Sequence, residues 1–246
     1  MDISEEKNKI RLDLPESDLT ADLYGRLAER VRSSRGYRES KRLYIGPEPA
    51  LWQVRINALL DQKELIMPSP ALKQGFVRFR PNLIPFPKLG HSLTFKGMFE
   101  FGEVLPSAAL AGLDIGLLFT HAEAAGRDGS CLGDGTGFFD LTVAILAESG
   151  ALAETVAVTG TVAGNRMFDT LPMAAWDVRL QTIVRLDGED CLETGAGKPV
   201  IHWQELPKKR VRKIQPLWDL SSGDRDDKRI SNIEQVSEDS EEPQND

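Results

Sequence analysis

Cysteine is scarce in this chain. Cys131 and Cys191 are the two present, too few for the disulfide framework of a small secreted scaffold. Histidine is nearly as rare: His91, His121 and His202 stand at no metal-ligand spacing. No apolar run approaches the roughly 20 residues that span a bilayer as a helix. The opening MDISEEKNKI is polar, without the apolar run of a secretory leader. These shortages exclude a disulfide scaffold and a helical membrane span, and lead us to expect a reducing, cytoplasmic setting.

Positive charge is short as well. The net charge is −8, and residues 221–246 hold nine acidic and three basic side chains. The acidity therefore belongs mainly to the end of the chain. The body lacks the broad basic footprint of a nucleic-acid binder. Lys208-Lys-Arg-Val-Arg-Lys213 is a local basic cluster. It reads as a solvated face, or else as a contact for RNA or for the acidic end of the chain. What remains is ordinary globular composition: 246 residues, 41% hydrophobic and 28% charged, enough for one sizeable core or two small ones.

Residues 1–17 show no repeating apolar face and are expected to be a flexible N-terminus. From Asp18, Leu19, Leu23, Leu27 and Val31 recur at helical spacing. Lys41–Ile45 reads as a strand stopped by Gly46-Pro47, Leu51–Leu60 as a helix, and Glu64–Met67 as a strand stopped by Pro68 and Pro70. Leu113–Phe119, Thr155–Val158 and Gln181–Leu186 read as further strands, and Phe138–Leu146 as a helix. This alternation predicts an α/β layered domain over residues 18–220. Residues 221–246 lack aromatics and hold few aliphatics, so the sequence predicts a disordered acidic tail.

Residues 126–140 read GRDGSCLGDGTGFFD. Gly133, Gly135 and Gly137 alternate between an expected strand and an expected helix. Glycines there permit positive φ and close approach of a ligand to the backbone. The start of the following helix offers free N–H groups and a positive dipole end. The loop, including Asp134, Thr136 and Phe138, is a candidate nucleotide-phosphate cradle. Its G-x-G-x-G spacing is neither the dinucleotide nor the P-loop fingerprint, and on spacing alone it is equally a surface turn.

The stretch EAAGRDGSCLGDGTGFFDL resembles the glycine signature of the 5-formyltetrahydrofolate cyclo-ligases, also called methenyltetrahydrofolate synthetases. LPMAAWDVRLQTIV resembles that family's downstream segment, and FKGMFEFGEVLP a region upstream. ELIMPSPALKQGF and KPVIHWQELPKKRVRKIQPLWDL resemble a divergent branch, the methenyltetrahydrofolate synthase-domain proteins. The resemblance implies a single-domain three-layer α/β sandwich of the sugar-isomerase and CoA-transferase (NagB/RpiA/CoA-transferase-like) type. It implies ATP- and Mg2+-dependent conversion of 5-formyltetrahydrofolate to 5,10-methenyltetrahydrofolate. The expected partners are therefore a nucleotide and a reduced folate, with neither membrane nor nucleic acid.

Carried over residue by residue, the resemblance makes Gly133, Gly135 and Gly137 the cradle and Asp140 and Asp177 the magnesium positions. Phe138 and Phe139 stand where the family has two tyrosines, keeping the rings as candidate substrate contacts. Two family arginines are Cys131 and Leu141 here, and Trp176 replaces the histidine beside Asp177. Lys96 and Arg127 are the candidate replacement cations. The family's N-terminal Lys-x-x-Leu-Arg has no clear match between Ala21 and Arg30, and Glu48 alone stands near the family's pocket acid. These changes leave a second reading open: a paralogue that binds a nucleotide or another heterocycle without ligase activity.

Overall fold

Alternation along short strands sets the architecture. In β1 (Arg42–Ile45) Leu43 and Ile45 face one side and Tyr44 the other, and all three are buried. In β2 (Glu64–Pro68) Leu65 and Met67 share a face opposite Ile66. Strands buried on both faces need helices on both, which makes three layers. The computed structural model, which describes residues 2–192 and 199–223, has that arrangement.

The remaining strands are β3 (Phe76–Phe79), β4 (Glu103–Leu105), β5 (Ile115–His121), β6 (Ala124–Gly126), β7 (Cys131–Leu132), β8 (Leu152–Thr161), β9 (Met167–Phe168), β10 (Thr182–Val184) and β11 (Glu189–Cys191). Among the described residues the main sheet runs β11-β10-β8-β5-β1-β2-β3-β4. Its centre, from β10 to β2, is parallel. Antiparallel strands close both edges. A small sheet, β7-β6-β9, stands beside it.

The helices are α1 (Ile3–Asp13), α2 (Tyr24–Ser33), α3 (Arg35–Glu39), α4 (Trp52–Leu60), α5 (Leu89–Ser92), α6 (Met98–Phe101), α7 (Phe138–Glu148), α8 (Lys208–Lys213) and α9 (Gln215–Gly223). α2 and α4 cover one face of the sheet with Leu27, Val31, Val54 and Ala58. α7 and α9 cover the other with Val143, Ile145, Leu146 and Leu217. The β1–β2 crossover thus lies on one face and the β5–β8 crossover on the other. Between β1 and β5 the chain changes direction across the sheet, and the crevice at the carboxyl ends of such strands is where ligands bind in open α/β sheets.

Three sequence expectations change. The segment 1–17, expected to be flexible, contains α1. None of the helix is buried, which is why no apolar period announces it. Ile10 and Leu14 anchor it against Ala124, Leu132 and Leu171, and polar contacts complete the attachment. The strand expected at 113–119 begins and ends two residues later. That shift brings the polar Thr120 and His121 to the strand's carboxyl end. The expected tail begins inside α9, which continues to Gly223, and residues 224–246 lie outside the described residues.

Candidate functional site

The β1–β5 switch opens into a cavity of about 180 Å³. Its wall includes Thr120 and His121 from β5, Gly133, Gly135 and Gly137 from the loop, and Phe139 and Asp140 from α7. Trp176 and Asp177 form another side, and Lys7 and Arg11 of α1 cover it. Residues from five separate parts of the chain meet at this opening.

The glycine loop has the conformation its composition permits. Gly135 has φ +92° and Gly137, which precedes α7, has φ +64°. Such values are costly for residues bearing a Cβ. Asp134 Oδ1 accepts from the Thr136 amide at 2.9 Å and from its hydroxyl at 2.6 Å. The cradle is therefore less bare than the sequence implies, because the Thr136 amide is already committed. Arg11 Nε donates to the Gly133 carbonyl at 2.8 Å, and Arg210 Nη2 donates to that of Thr136 at 2.9 Å.

Asp140 and Asp177 face the same cavity. Asp140 Oδ1 accepts from the Val178 amide at 2.8 Å. Burial, and then Asp177 nearby, push its carboxyl up to about 6 against the pull of that amide. Asp177 Oδ2 accepts from the Ala174 amide at 2.6 Å and pairs with Lys7 Nζ. Among the described residues no group of three His, Cys, Asp or Glu side chains is placed to hold a metal. Two carboxylates do fit magnesium, which takes one or two and completes its shell with water and phosphate oxygens. Asp177 also contributes, after burial, to the raised proton affinity of Asp140, and two neighbouring acids favour a cation between them.

The other candidates are dispersed. Phe139 lines the cavity and packs on Tyr44 with ring centroids 6.4 Å apart. Phe138 turns away, beneath the Arg210 guanidinium at 5.1 Å, so the two rings do not form one substrate wall. Lys96 lies in the turn between α5 and α6, and Arg127 is exposed with Asp169 at 3.9 Å. Neither belongs to the cavity wall. The Cys131 thiol donates to the Val178 carbonyl at 3.4 Å. Burial raises its proton affinity, which disfavours the thiolate.

Lys7 and Arg11 are the principal residues that sequence reasoning missed. The signal was Lys7-Asn-Lys-Ile10-Arg11, which puts both cations on one side of a helix turn. It is the Lys-x-x-aliphatic-Arg pattern sought between Ala21 and Arg30, displaced toward the N-terminus. His121 was passed over too. It lines the cavity with Nδ1 buried and unpartnered, and burial favours its neutral form. Glu48 stands behind Thr120, whose hydroxyl donates to Oε1 at 3.1 Å, while Oε2 is buried without a partner. Burial raises its carboxyl.

The Lys7–Asp177 pair gives a direct prediction. Lys7→Gln removes the charge that fastens α1 over the cavity. Amide exchange in residues 3–13 is expected to accelerate roughly tenfold or more, with β5 and β8 unchanged, because α1 opens separately from the core. Hydrogen exchange by mass spectrometry measures this directly. Equal protection of α1 in variant and parent would refute the fastening role.

A family model described as the 5-formyltetrahydrofolate cyclo-ligase family matches residues 3–185. The chain is similar to the NMR structure of Aquifex aeolicus 5,10-methenyltetrahydrofolate synthetase, over 81% of this chain and 96% of that one, with 20% identity and a TM-score of 0.48. It is also similar to a 5,10-methenyltetrahydrofolate synthetase from Mycoplasma pneumoniae, over 75% of this chain and 98% of that one, with 13% identity and a TM-score of 0.45. No curated protein sequence matches it.

Proposed function

As the chain belongs to the 5-formyltetrahydrofolate cyclo-ligase family, we propose that it closes 5-formyltetrahydrofolate to 5,10-methenyltetrahydrofolate with ATP and magnesium in the cytoplasm, at the cavity beneath α1. The observation that carries this reading is the convergence there of Lys7, Arg11, the Gly133–Gly137 loop, Asp140 and Asp177. These groups are far apart in sequence and of the types that phosphoryl transfer requires.

In the proposed reaction ATP phosphorylates the formyl oxygen. That transfer leaves ADP, and ring closure then expels the phosphate. The protein's task is positioning and charge neutralisation. The Gly135 and Gly137 backbone lies open to phosphate oxygens, and Lys7 and Arg11 offset their charge from above. Asp140 and Asp177 would hold magnesium, which, when bound, neutralises phosphate charge. Lys7, held by Asp177, keeps its ammonium at the cavity wall, where it offsets phosphate charge. Glu48 stands behind Thr120 and accepts from its hydroxyl, and burial raises its proton affinity, so an acid backs the wall of the cavity at that point.

One observation favours the rival reading, a nucleotide-binding paralogue without ligase activity. Cys131 and Leu141, at the family's arginine positions, pack into the interior with the main core cluster and supply no charge. The deciding assay mixes the protein with 5-formyltetrahydrofolate, ATP and magnesium and follows methenyl absorbance. A rise that needs all three, and that Asp140→Asn abolishes, is the expected result. ATP binding with a flat trace would establish the rival. Absence of both would overturn the nucleotide site itself.

A further inference from the structure

Residues 199–223 lie beyond the stretch matched by the family model, yet they return to the glycine loop. α8 places Arg210 so that its guanidinium covers the Phe138 ring at 5.1 Å and donates from Nη2 to the Thr136 carbonyl at 2.9 Å. Arg210 also lines a second opening together with Ser4, Gly137, Asp140 and Trp176. Those four residues come from α1, the loop, α7 and the Asp177 segment, and all four also belong to the wall of the first cavity. Arg210 therefore stands on the rim of the same site.

Its charge has no carboxylate within salt-bridge distance among the described residues. The same holds for Lys73, Lys209 and Lys213, which ring the outer side of Phe138 with it. In an acidic chain, four uncompensated cations beside an exposed glycine loop make a local positive field. A guanidinium has five N–H donors in a planar fork. One is spent on Thr136 and the guanidinium lies over the Phe138 ring at 5.1 Å, which leaves its other donors for a second acceptor. Lys96 and Arg127, the cations the sequence offered for this purpose, are absent from the wall.

We propose that Arg210 is a ligand-contacting residue that grips the phosphate oxygens of the nucleotide at the glycine loop, so that the segment after residue 199 completes the site. This deepens the nucleotide reading given above and rests on it. The phosphates then lie between two sets of cations from opposite ends of the chain: Lys7 and Arg11 on one side and Arg210 on the other.

The test is calorimetric titration of the full chain with ATP and magnesium, and with adenosine as the phosphate-free probe. Arg210→Ala is expected to weaken ATP binding roughly 10- to 100-fold, the range of one charge-assisted contact, and to leave adenosine unchanged. Arg210→Lys keeps the charge and should recover most of the loss. Arg210→Gln keeps a donor for Thr136 without the charge and should not. Arg212→Ala, on the exposed side of α8, should match the parent, and melting curves check folding of each variant. Unaltered ATP affinity in Arg210→Ala overturns the proposal, as does recovery by Gln but not by Lys, which would leave Arg210 only a brace for the loop. A parent chain that does not bind ATP overturns the nucleotide reading first and this proposal with it.

Discussion

Gly135→Val is expected to lower affinity for ATP roughly 10- to 100-fold while leaving the fold intact. The residue sits at φ +92°, and an added Cβ would lie 3.3 Å from the Arg11 guanidinium. A β-branched side chain at such a φ costs on the order of 1–3 kcal/mol, which converts to about that change in binding. The loop escapes the strain by moving, since it is exposed. In moving it displaces Arg11 and the backbone facing the phosphates. Gly133→Ala is the contrast: nothing lies within 4 Å of its added Cβ and no positive φ opposes it, so affinity should change little. Titration with ATP and magnesium decides the matter. Equal affinities for the parent and Gly135→Val would mean the loop is a surface turn.

Asp140→Asn is expected to make the protein more stable and less able to bind nucleotide with magnesium. The folded carboxyl titrates near 6, above the ordinary 3.8. A carboxyl whose proton is held more tightly in the folded state favours folding at low pH. That contribution is fully present below about 3.8 and is lost as pH rises through about 6. At pH 7.5 the parent therefore carries a strained charge that the variant lacks. The substituted amide retains a carbonyl oxygen for the Val178 N–H, so the hydrogen bond at 2.8 Å survives. The expected gain is on the order of 1–3 kcal/mol, or a few degrees in melting temperature for a chain of this length. The gain should shrink toward pH 4. Magnesium and ATP together should then raise the melting temperature of the parent and not of the variant. A variant that melts lower than the parent at pH 7.5 would show that Asp140 is a structural acid and not a strained one.

Both predictions depend on residues visible in the sequence, and the reason is local. Leu43, Tyr44 and Ile45 alternate, and Leu27 and Val31 repeat at helical spacing, so β1 and α2 could be read directly. The glycine loop announced itself by spacing and by its place before α7. Asp140 and Asp177 came from the resemblance alone, because nothing in an isolated acid distinguishes a metal position from a helix-start residue. β3 and β4 were missed because each is only a few residues long and gains its partners from strands distant in the chain.

The chain's own pattern determined the layered α/β scaffold and the strand–glycine–helix element on which the site is built, since both follow from which side chains seek burial within a few turns. The tertiary structure decided what surrounds that element. Lys7 meets Asp177 across 170 positions, Arg11 meets Gly133 across 122 and Arg210 meets Thr136 across 74. Apolar periodicity tells which face of a segment turns inward. It does not tell which distant polar group a lysine or arginine will reach, because the order of strands in the sheet fixes that choice.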